Sequence, residues 1–323
     1  MIELNGRPGY PEIYWRRIER SVFDVTKGLA CNRDYPFVSA QVVADSIYRG
    51  KRITSIVIEA PRWILAEIDT HRVFSRSFAS SRAIPAEKML KRVRTQPVIP
   101  SVWGLNEPGM QSNGVASPED IEYFRAHWTK AAENAVAEVE ELTSNLPKGA
   151  QLHKQWANRL LEPFLTVKGI ITSTEWDNFF VLRLHKDAQP EFRLLAQCAY
   201  LAMQHSDPRT LKAGQWHLPF IGKDESMFIT DALKCSTARC ARASYNNFDG
   251  SAPDAQKDFS TFDKLITSEP IHASPAEHQA QAASWWQWIK GWLLPWHRSN
   301  FSPKWYQYRK VLENDKRNTY TNW

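Results

Sequence analysis

Residues 70–82, THRVFSRSFASSR, combine cations, hydroxyls and a histidine in one short segment. Arg72, Arg76 and Arg82 lie close together, with five serine or threonine side chains between and around them. Like charges at this spacing repel one another, so an anion is expected to compensate them. The segment therefore predicts an anionic ligand. Its simpler interpretation is an arginine-rich helix end on a solvated surface.

Five further segments carry side chains of the types that bind ligands. WDNFFVLR at 176–183 ends in Arg183 and is followed by AQPEFR at 188–193; NRLLEP at 158–163 lies upstream. STARCARAS at 236–244 and HASPAEH at 272–278 lie downstream. For Arg183 the simplest interpretation is an ion pair with Asp187, one helical turn further on.

These segments resemble the motifs of the flavin-dependent thymidylate synthases. The family signature reads Arg-His-Arg, seven residues, Ser, one residue, Arg; His71-Arg72, Ser80 and Arg82 match it, while Thr70 replaces the first Arg. The segments at 176–183 and 188–193 resemble the family's Asn-Phe-x-x-Leu-Arg and Ala-Gln-x-Glu-Ile motifs. Arg159 resembles the arginine that grips the nucleotide phosphate, followed four residues later by a proline.

The order of the motifs differs from that of ordinary family members. The segments at 236–244 and 272–278 resemble two flavin-site motifs that ordinarily precede the signature, and here they follow it. The chain therefore looks circularly permuted, like phage-type members of the family. Such a rearrangement is feasible because domain termini often lie close together. The resemblance covers, in patches, residues 54–90, 155–205 and 233–280.

The resemblance implies an enzyme, a flavin-dependent methyltransferase that converts dUMP to dTMP. FAD would be the cofactor, with methylenetetrahydrofolate and NADPH as co-substrates, in a homotetramer whose sites are shared between subunits. None of the four cysteines is preceded by Pro or followed by His. This argues against the cysteine-dependent mechanism of ordinary thymidylate synthase and favours one in which a cofactor carries the difficult chemistry.

The resemblance also implies residue roles. Arg183 would be catalytic, stabilising negative charge that develops on the pyrimidine oxygens. The substrate-binding residues would be Ser80, Ser81, Arg82, Arg159 and Arg183. The flavin-binding residues would be His71, Arg72, Asn178, Asp187, Ser244, His272, Ser274 and Glu277. A metal at His272, Glu277 and His278 is not expected, because the internal proline separates the ligand faces.

Several positions depart from the family pattern. Besides Thr70, the departures are Glu67 for Gln, Phe78 for Glu, Ser81 for Gly, Asp187 for His, and Thr172 and Thr174 for Asn and Arg. Because buried polar contacts discriminate strongly between ligands, the replacement of a polar residue by Phe78 leaves the identity of the nucleotide substrate open. One alternative is one-carbon transfer, as methylation or hydroxymethylation, to another pyrimidine nucleotide such as dCMP. The others are a flavin- or nucleotide-binding protein without turnover, or a nucleic-acid-binding protein.

The tail at 285–310 reads WWQWIKGWLLPWHRSNFSPKWYQYRK. Aromatic and cationic side chains suit the binding of single-stranded nucleic acid, so the tail is the reason why the nucleic-acid alternative stays open. A packed helix with a subunit-interface arm is favoured, since most aromatics are core residues. A nucleic-acid partner is therefore not expected.

The amino-acid composition indicates the class of protein and its expected location. The chain has 323 residues, 43% hydrophobic and 24% charged, with a net charge of +6 and a mean hydropathy of −0.48. These values indicate a globular protein. No apolar run approaches membrane-spanning length and no signal peptide is evident, so we expect a cytoplasmic protein (host cytoplasm if phage-encoded) without a membrane partner and with reduced cysteines.

The elements that must position these residues follow from periodicity and breakers. A strand is predicted at 54–61, then a helix over 62–75 carrying the arginine segment near its end. A loop is expected at 95–116, followed by a helix that begins after Ser117 and runs to about 142. Further on, a helix is expected at 151–161, a strand within 165–174, and a helix over 175–203 interrupted near Pro190. Helices are also predicted at 225–243 and up to 267.

The expected fold is α+β, with a central, mostly antiparallel sheet, flanking helices, permuted element order and a C-terminal extension. We expect residues 1–220 to form the core with the nucleotide-binding motifs. Residues 221–283 would complete the same domain with the flavin segment, and residues 284–323 would be the extension.

Overall fold

The computed structural model describes residues 21–313, apart from 113, 115, 223, 248–249, 269–270 and 295–297. Its strands are β1 (Ser21–Asp24), β2 (Leu29–Asn32), β3 (Ser39–Tyr48), β4 (Lys51–Pro61), β5 (Ser75–Phe78), β6 (Thr166–Ser173), β7 (Arg209–Thr210), β8 (Trp216–His217), β9 (Ala280–Ala282) and β10 (Trp305–Gln307). Its α-helices are α1 (Leu65–Asp69), α2 (Ala86–Thr95), α3 (Pro118–Glu140), α4 (Lys154–Leu161), α5 (Asp177–Arg183), α6 (Pro190–Gln204), α7 (Ile229–Arg242), α8 (Ala255–Thr267) and α9 (Trp285–Leu293).

The main sheet has the strand order β1-β2-β3-β4-β6-β5, and β7 pairs with β3 outside this path. Its pairs are antiparallel except β3 with β7. A two-residue turn joins β3 to β4, in which Arg49 and Gly50 both have positive φ, 46° and 74°. This is the backbone geometry that tight hairpins require. It fixes the register of the two longest strands, opposing Tyr48 to Lys51.

Both faces of the sheet are covered, which makes it the middle layer of the fold. On one face Ile56 and Ile58 of β4 pack with α5 and α6 through residues such as Phe179 and Phe192. On the other face Val57 packs with Ile170, Phe220 and Cys240, the last of these on α7. Because neighbouring strand residues point to opposite faces, the run IVI of β4 supplies both layers.

A second, three-stranded sheet has the order β10-β9-β8. It packs on the β3–β4 end of the main sheet through Tyr48, Ile53, Ala280, Phe301 and Trp305. Residues after 279 therefore contribute to the hydrophobic core, and the tail is partly built into the body of the protein.

The predicted fold class is confirmed as a mixed helical and mostly antiparallel structure. The strand at 54–61 lies within β4, the strand at 165–174 contains β6, and α5 and α6 are separated before Pro190. Ser117 caps α3, accepting a hydrogen bond from the Asp120 amide at 3.1 Å. The predicted helix at 225–243 begins only at Ile229.

The helix predicted over 62–75 is wrong in its second half. A 3₁₀ turn at 62–64 leads into α1, which ends at Asp69, and residues 75–78 form β5. The alternation Ser-Arg-Ser-Phe allows one face of β5 to be polar, and β5 pairs antiparallel with β6 from Ser75 to Phe78. Long-range pairing therefore overrides the local helical pattern.

Candidate active site

Arg183, the last residue of α5, is held by the turn that follows α1. Its Nε donates to His71 Nε2 at 2.9 Å and its Nη2 to Thr70 Oγ1 at 3.1 Å. Thr70 Oγ1 in turn donates to the Glu67 carbonyl at 2.6 Å. The guanidinium also lies over the Phe192 ring, 4.5 Å from its centroid. The arginine is thus fixed on one edge and one face, and in the described part of the chain its Nη1 makes no hydrogen bond.

His71 is a neutral acceptor in this arrangement. It is buried among the rings of Phe74, Phe179 and Phe192. Its pKa is lowered to about 4, first by burial and then by the nearby Arg183 and Arg76. Since Nε2 accepts the hydrogen bond from Arg183, the proton of the neutral ring resides on Nδ1. Burial likewise lowers the pKa of Arg183, which stays cationic at neutral pH.

A second cluster of charge lies around the 3₁₀ turn at 81–83. Glu162 accepts hydrogen bonds from Ser81 Oγ at 2.6 Å and from Arg159 Nη1 at 3.1 Å, and it pairs with Arg62 Nε at 3.2 Å. Within the described residues, the exposed Arg82 has no carboxylate partner. Glu162 therefore pairs with two guanidinium groups, and with Arg82 in the adjoining turn the cluster keeps the net positive charge that suits a phosphate.

Asn158 fixes the backbone of this cluster. Its Nδ2 donates to the carbonyls of Ser81 at 2.8 Å and Ile84 at 3.0 Å. Its Oδ1 is buried and has no partner among the described residues. Ser81 is itself buried, with its hydroxyl engaged by Glu162, whereas Ser80 is exposed.

The structure brings three of the sequence segments together within one chain. The 3₁₀ turn at 274–277 packs against β5, and His278 Nε2 lies 3.0 Å from Ser77 Oγ. The turn that precedes β5 holds Arg183. The segments at 70–82, 178–183 and 272–278 are therefore linked by direct contacts, although their order in the sequence is dispersed.

The flavin-binding residues predicted from the sequence differ in their surroundings. Arg72, Asn178, His272 and Ser274 are exposed. Asp187 is also exposed but pairs with its neighbours His185 and Lys186. Glu277 forms an ion pair with Arg309 of the tail. Ser244 lies apart from β5, in a pocket of about 430 Å³ that is also lined by Gln41 and Lys168.

Sequence reasoning missed a buried polar chain that crosses the core on one face of the sheet. His217 bridges Ser46 at 3.0 Å and Ser55 at 2.8 Å. Ser55 contacts Thr172 at 2.6 Å, and Thr172 contacts His278 at 2.9 Å. The two histidines are fully buried, and burial lowers the pKa of each to about 3. This polar relay, Ser46–His217–Ser55–Thr172–His278–Ser77, ends at β5. Its sequence signal was the pair of adjacent hydroxyl residues in each of β4 and β6, at 54–55 and 172–173.

The contacts of Thr70 and Phe78 explain two departures from the family pattern. Thr70, which replaces an arginine, orients Arg183, a task that a like-charged side chain would perform poorly. Phe78 opposes Gly169 across β5 and β6. A Cβ on Gly169 would come within 2.1 Å of the Phe78 ring, so the glycine makes room for the aromatic side chain. Phe78 packs against the main core.

A wide cleft next to β3 and β8 holds none of the predicted site residues. It measures about 1000 Å³, and its lining includes Asp45, Ser46, Arg209, Trp216 and Gln281. In the described part of the chain, no three His, Cys, Asp or Glu side chains are grouped so that they would hold a metal ion. Among the same residues, no helix has both the length and the apolar character needed to cross a membrane.

The structure thus presents an arginine that is fixed on one edge and a separate cluster of guanidinium groups, two features that suit anionic ligands. Residues 50–209 match the model of the Thy1 family, described as thymidylate synthase complementing protein. This segment belongs to that family, and the resemblance to flavin-dependent thymidylate synthases is thereby confirmed. The match contains the Arg183 site and the 81–83 cluster. The permuted order of the segments beyond residue 209 stays a prediction.

Solved structures add similar proteins at low identity. A UMP/dUMP methylase, PolB from Streptomyces cacaoi bound with 5-Br dUMP, is 16% identical, covers 51% of this chain and 89% of its own, and has a TM-score of 0.42. The 5-Br UMP complex has a TM-score of 0.40 at 16% identity, with 51% and 88% covered. Flavin-dependent thymidylate synthase ThyX from Helicobacter pylori, complexed with FAD and dUMP, is 19% identical with a TM-score of 0.32, covering 47% and 67%. No curated protein matches the sequence.

Proposed function

We propose that this protein is a FAD-dependent thymidylate synthase that methylates dUMP to dTMP, with methylenetetrahydrofolate as the carbon donor and NADPH as the reductant. The family match over 50–209 supports this assignment. The observation that carries it is the contact of Arg183 with Thr70 and His71. This contact joins the motif assigned to the pyrimidine with the motif assigned to the flavin and phosphate.

The donor groups around this contact fit a flavin dinucleotide. In the described residues the guanidinium of Arg72 has no carboxylate partner, and the Nδ1–H of His71 makes no hydrogen bond. Exposed Asn178, His272 and Ser274 add amide, imidazole and hydroxyl groups. A cation with such donors suits a pyrophosphate and ring carbonyls. The bound flavin would supply the one-carbon and hydride transfer chemistry.

Arg183 performs the electrostatic part of the reaction. Its Nη1 donates to a pyrimidine carbonyl oxygen, on which negative charge develops as C5 reacts. Because His71 and Thr70 already hold the guanidinium, little reorganisation is needed when that charge appears. A neutral His71 is essential here, since a protonated ring would repel the arginine and lose its acceptor. Donors of this kind are worth about 3 kcal/mol in the transition state.

The cluster around residues 81–83 holds the nucleotide phosphate. Arg82 and Arg159 donate to the phosphate oxygens, and Ser80 adds a hydroxyl. Glu162 prevents mutual repulsion of Arg62 and Arg159 until the nucleotide binds. Ser81 acts through Glu162, because its hydroxyl donates to that carboxylate. We further propose that the chain works as a homotetramer.

A second candidate function is one-carbon transfer to another pyrimidine nucleotide, such as dCMP. Phe78 favours it, because an aromatic side chain replaces a polar nucleotide contact and packs on Gly169. Tritium release from C5-labelled dUMP and dCMP separates the two functions, with methylenetetrahydrofolate, NADPH and flavin-loaded protein present. Release from dUMP alone is expected. Release from dCMP alone would replace the first function by the second, and release from neither would refute both.

A further inference from the structure

The helix α9, in the tail beyond the family match, is attached to the protein by its polar side. Ser284 caps it in a reciprocal capping box with Gln287. The Gln287 side chain also donates to Gln281 Oε1 of β9 at 2.8 Å. The N-terminal turn of α9 is thus anchored to the small sheet through hydrogen bonds between polar groups. This is the reverse of an ordinary surface helix, whose apolar side faces the core.

The opposite side of α9 is apolar and open. Trp285 is 56% exposed, Trp286 67% and Trp288 42%, and Leu293 is 60% exposed. At 100° per residue these four side chains and Ile289 fall within an arc of about 160°. Lys290 and Gln287 lie outside this arc. We call the exposed side chains Trp285, Trp286, Trp288 and Leu293 the tryptophan face. An exposed apolar patch of this kind marks an interaction site.

The charges of α9 indicate which partner the tryptophan face fits. Lys290 is its only charged residue. Binding to nucleic acid or to an anionic membrane draws its strength from several cations next to the apolar contacts. Binding to a second apolar surface needs no cations. The uncharged face therefore favours an apolar protein surface over a polyanion.

The exposed area is of the right size for a contact between two copies. About half of each of three tryptophans is open, which amounts to roughly 400 Å². A standard interface buries about 800 Å² on each partner, so this face supplies about half of it. In a two-fold contact each copy presents the same patch. We propose that the tryptophan face is the centre of a two-fold interface between two copies of this chain.

This interface would lie on the side of the molecule that carries part of the candidate site. Asn300, a few residues after α9, donates to the Arg72 carbonyl at 3.3 Å. The tail segment and the arginine segment are therefore neighbours. Burial of the tryptophan face against a second copy would fix this stretch of the tail next to Arg72.

Sedimentation velocity over a range of protein concentrations tests the proposal. The full chain is compared with the triple variant Trp285→Ser, Trp286→Ser, Trp288→Ser. Trp156→Ser is the matched control, because Trp156 is 61% exposed on α4. The triple variant should raise the dissociation constant of this two-fold contact about 100-fold or more, since interface tryptophans carry much of the binding energy. The control should sediment like the wild type.

A measurement on the unaltered protein guards against misfolding of the variant. Oxidation of tryptophans by N-bromosuccinimide, read by peptide mass spectrometry, should be suppressed at 285, 286 and 288 as the protein concentration rises. Trp156 should stay reactive throughout. A monomeric wild type would overturn this interface and the proposed homotetramer, and oxidation independent of concentration would overturn this interface alone; either result would leave the proposed reaction intact. The proposal would also be overturned if the monomer co-sedimented with phosphatidylglycerol vesicles or bound an oligonucleotide, and if the triple variant lacked this binding.

Discussion

Acid should begin to destabilise this protein at a pH above the range of carboxylate titration, because two histidines are buried in neutral form. His217 and His278 lie in the polar relay, and both of their ring nitrogens contact hydroxyls. Burial lowers the pKa of each from 6.5 to about 3. Between these values the unfolded chain binds more protons than the folded one. Stability is therefore complete above pH 6.5 and falls as the pH drops towards 3.

The magnitude follows from the size of the shifts. One pKa unit corresponds to about 1.4 kcal/mol. A pH of 5 lies about 1.5 units below the unfolded-state pKa of each histidine, so each histidine lowers the free energy of unfolding by about 2 kcal/mol. The two together remove about 4 kcal/mol between pH 7 and pH 5, a large part of the 5–15 kcal/mol typical of a folded domain. His71, with a pKa of about 4, shifts stability in the same direction.

Urea unfolding at pH 7, 6 and 5, followed by tryptophan fluorescence, measures this loss. The midpoint should fall steeply with pH in the wild type. In the double variant His217→Gln, His278→Gln the midpoint at pH 7 should be lower, and its decrease to pH 5 should be much smaller. An equal decrease in both proteins, or a midpoint independent of pH above 5, would refute the assignment of neutral, buried imidazoles.

Three further predictions concern single side chains. Arg183→Ala should reduce kcat about 100- to 1000-fold in the tritium-release assay while flavin absorbance of the purified protein is retained; normal turnover would remove Arg183 from its role. Arg82→Ala and Arg159→Ala should each weaken dUMP binding about 10- to 100-fold in calorimetry, the loss of one charge-assisted hydrogen bond; unchanged affinity would move the phosphate elsewhere. Thr172→Val should lower the free energy of unfolding by about 2 kcal/mol, because two buried partners lose their hydrogen bonds. The control Ser173→Ala, on the same strand but outside the relay, should cost less, and an equal cost would contradict the importance of the relay.

Local signals were enough to predict the elements whose stability is local. Ser117 with a following proline fixed the start of α3, and Pro190 separated α5 from α6. The β-branched runs of β4 and β6 were recognised because both strands are buried centrally. The arginine segment was singled out by its residue types and spacing, and Arg183 through the resemblance to a family motif.

The features that were missed depend on contacts between distant residues. The helix predicted up to residue 75 ends at Asp69, and its last residue, Ser75, instead begins β5, which pairs with β6. His278 meets Ser77 across 201 positions, and His217 meets Ser46 across 171. The function of Thr70 depends on Arg183, 113 residues away. No local pattern encodes such partners, because each side chain is ordinary in its own segment.

The central claim is that a pyrimidine nucleotide binds between Arg183 and the 81–83 cluster, beside a flavin. A crystal structure of the protein with FAD and dUMP tests it most directly. Arg183 should lie within about 3 Å of a pyrimidine carbonyl oxygen, and the phosphate should contact Arg82 and Arg159. Nucleotide density in the large cleft near Trp216, with Arg183 contacting neither ligand, would contradict it.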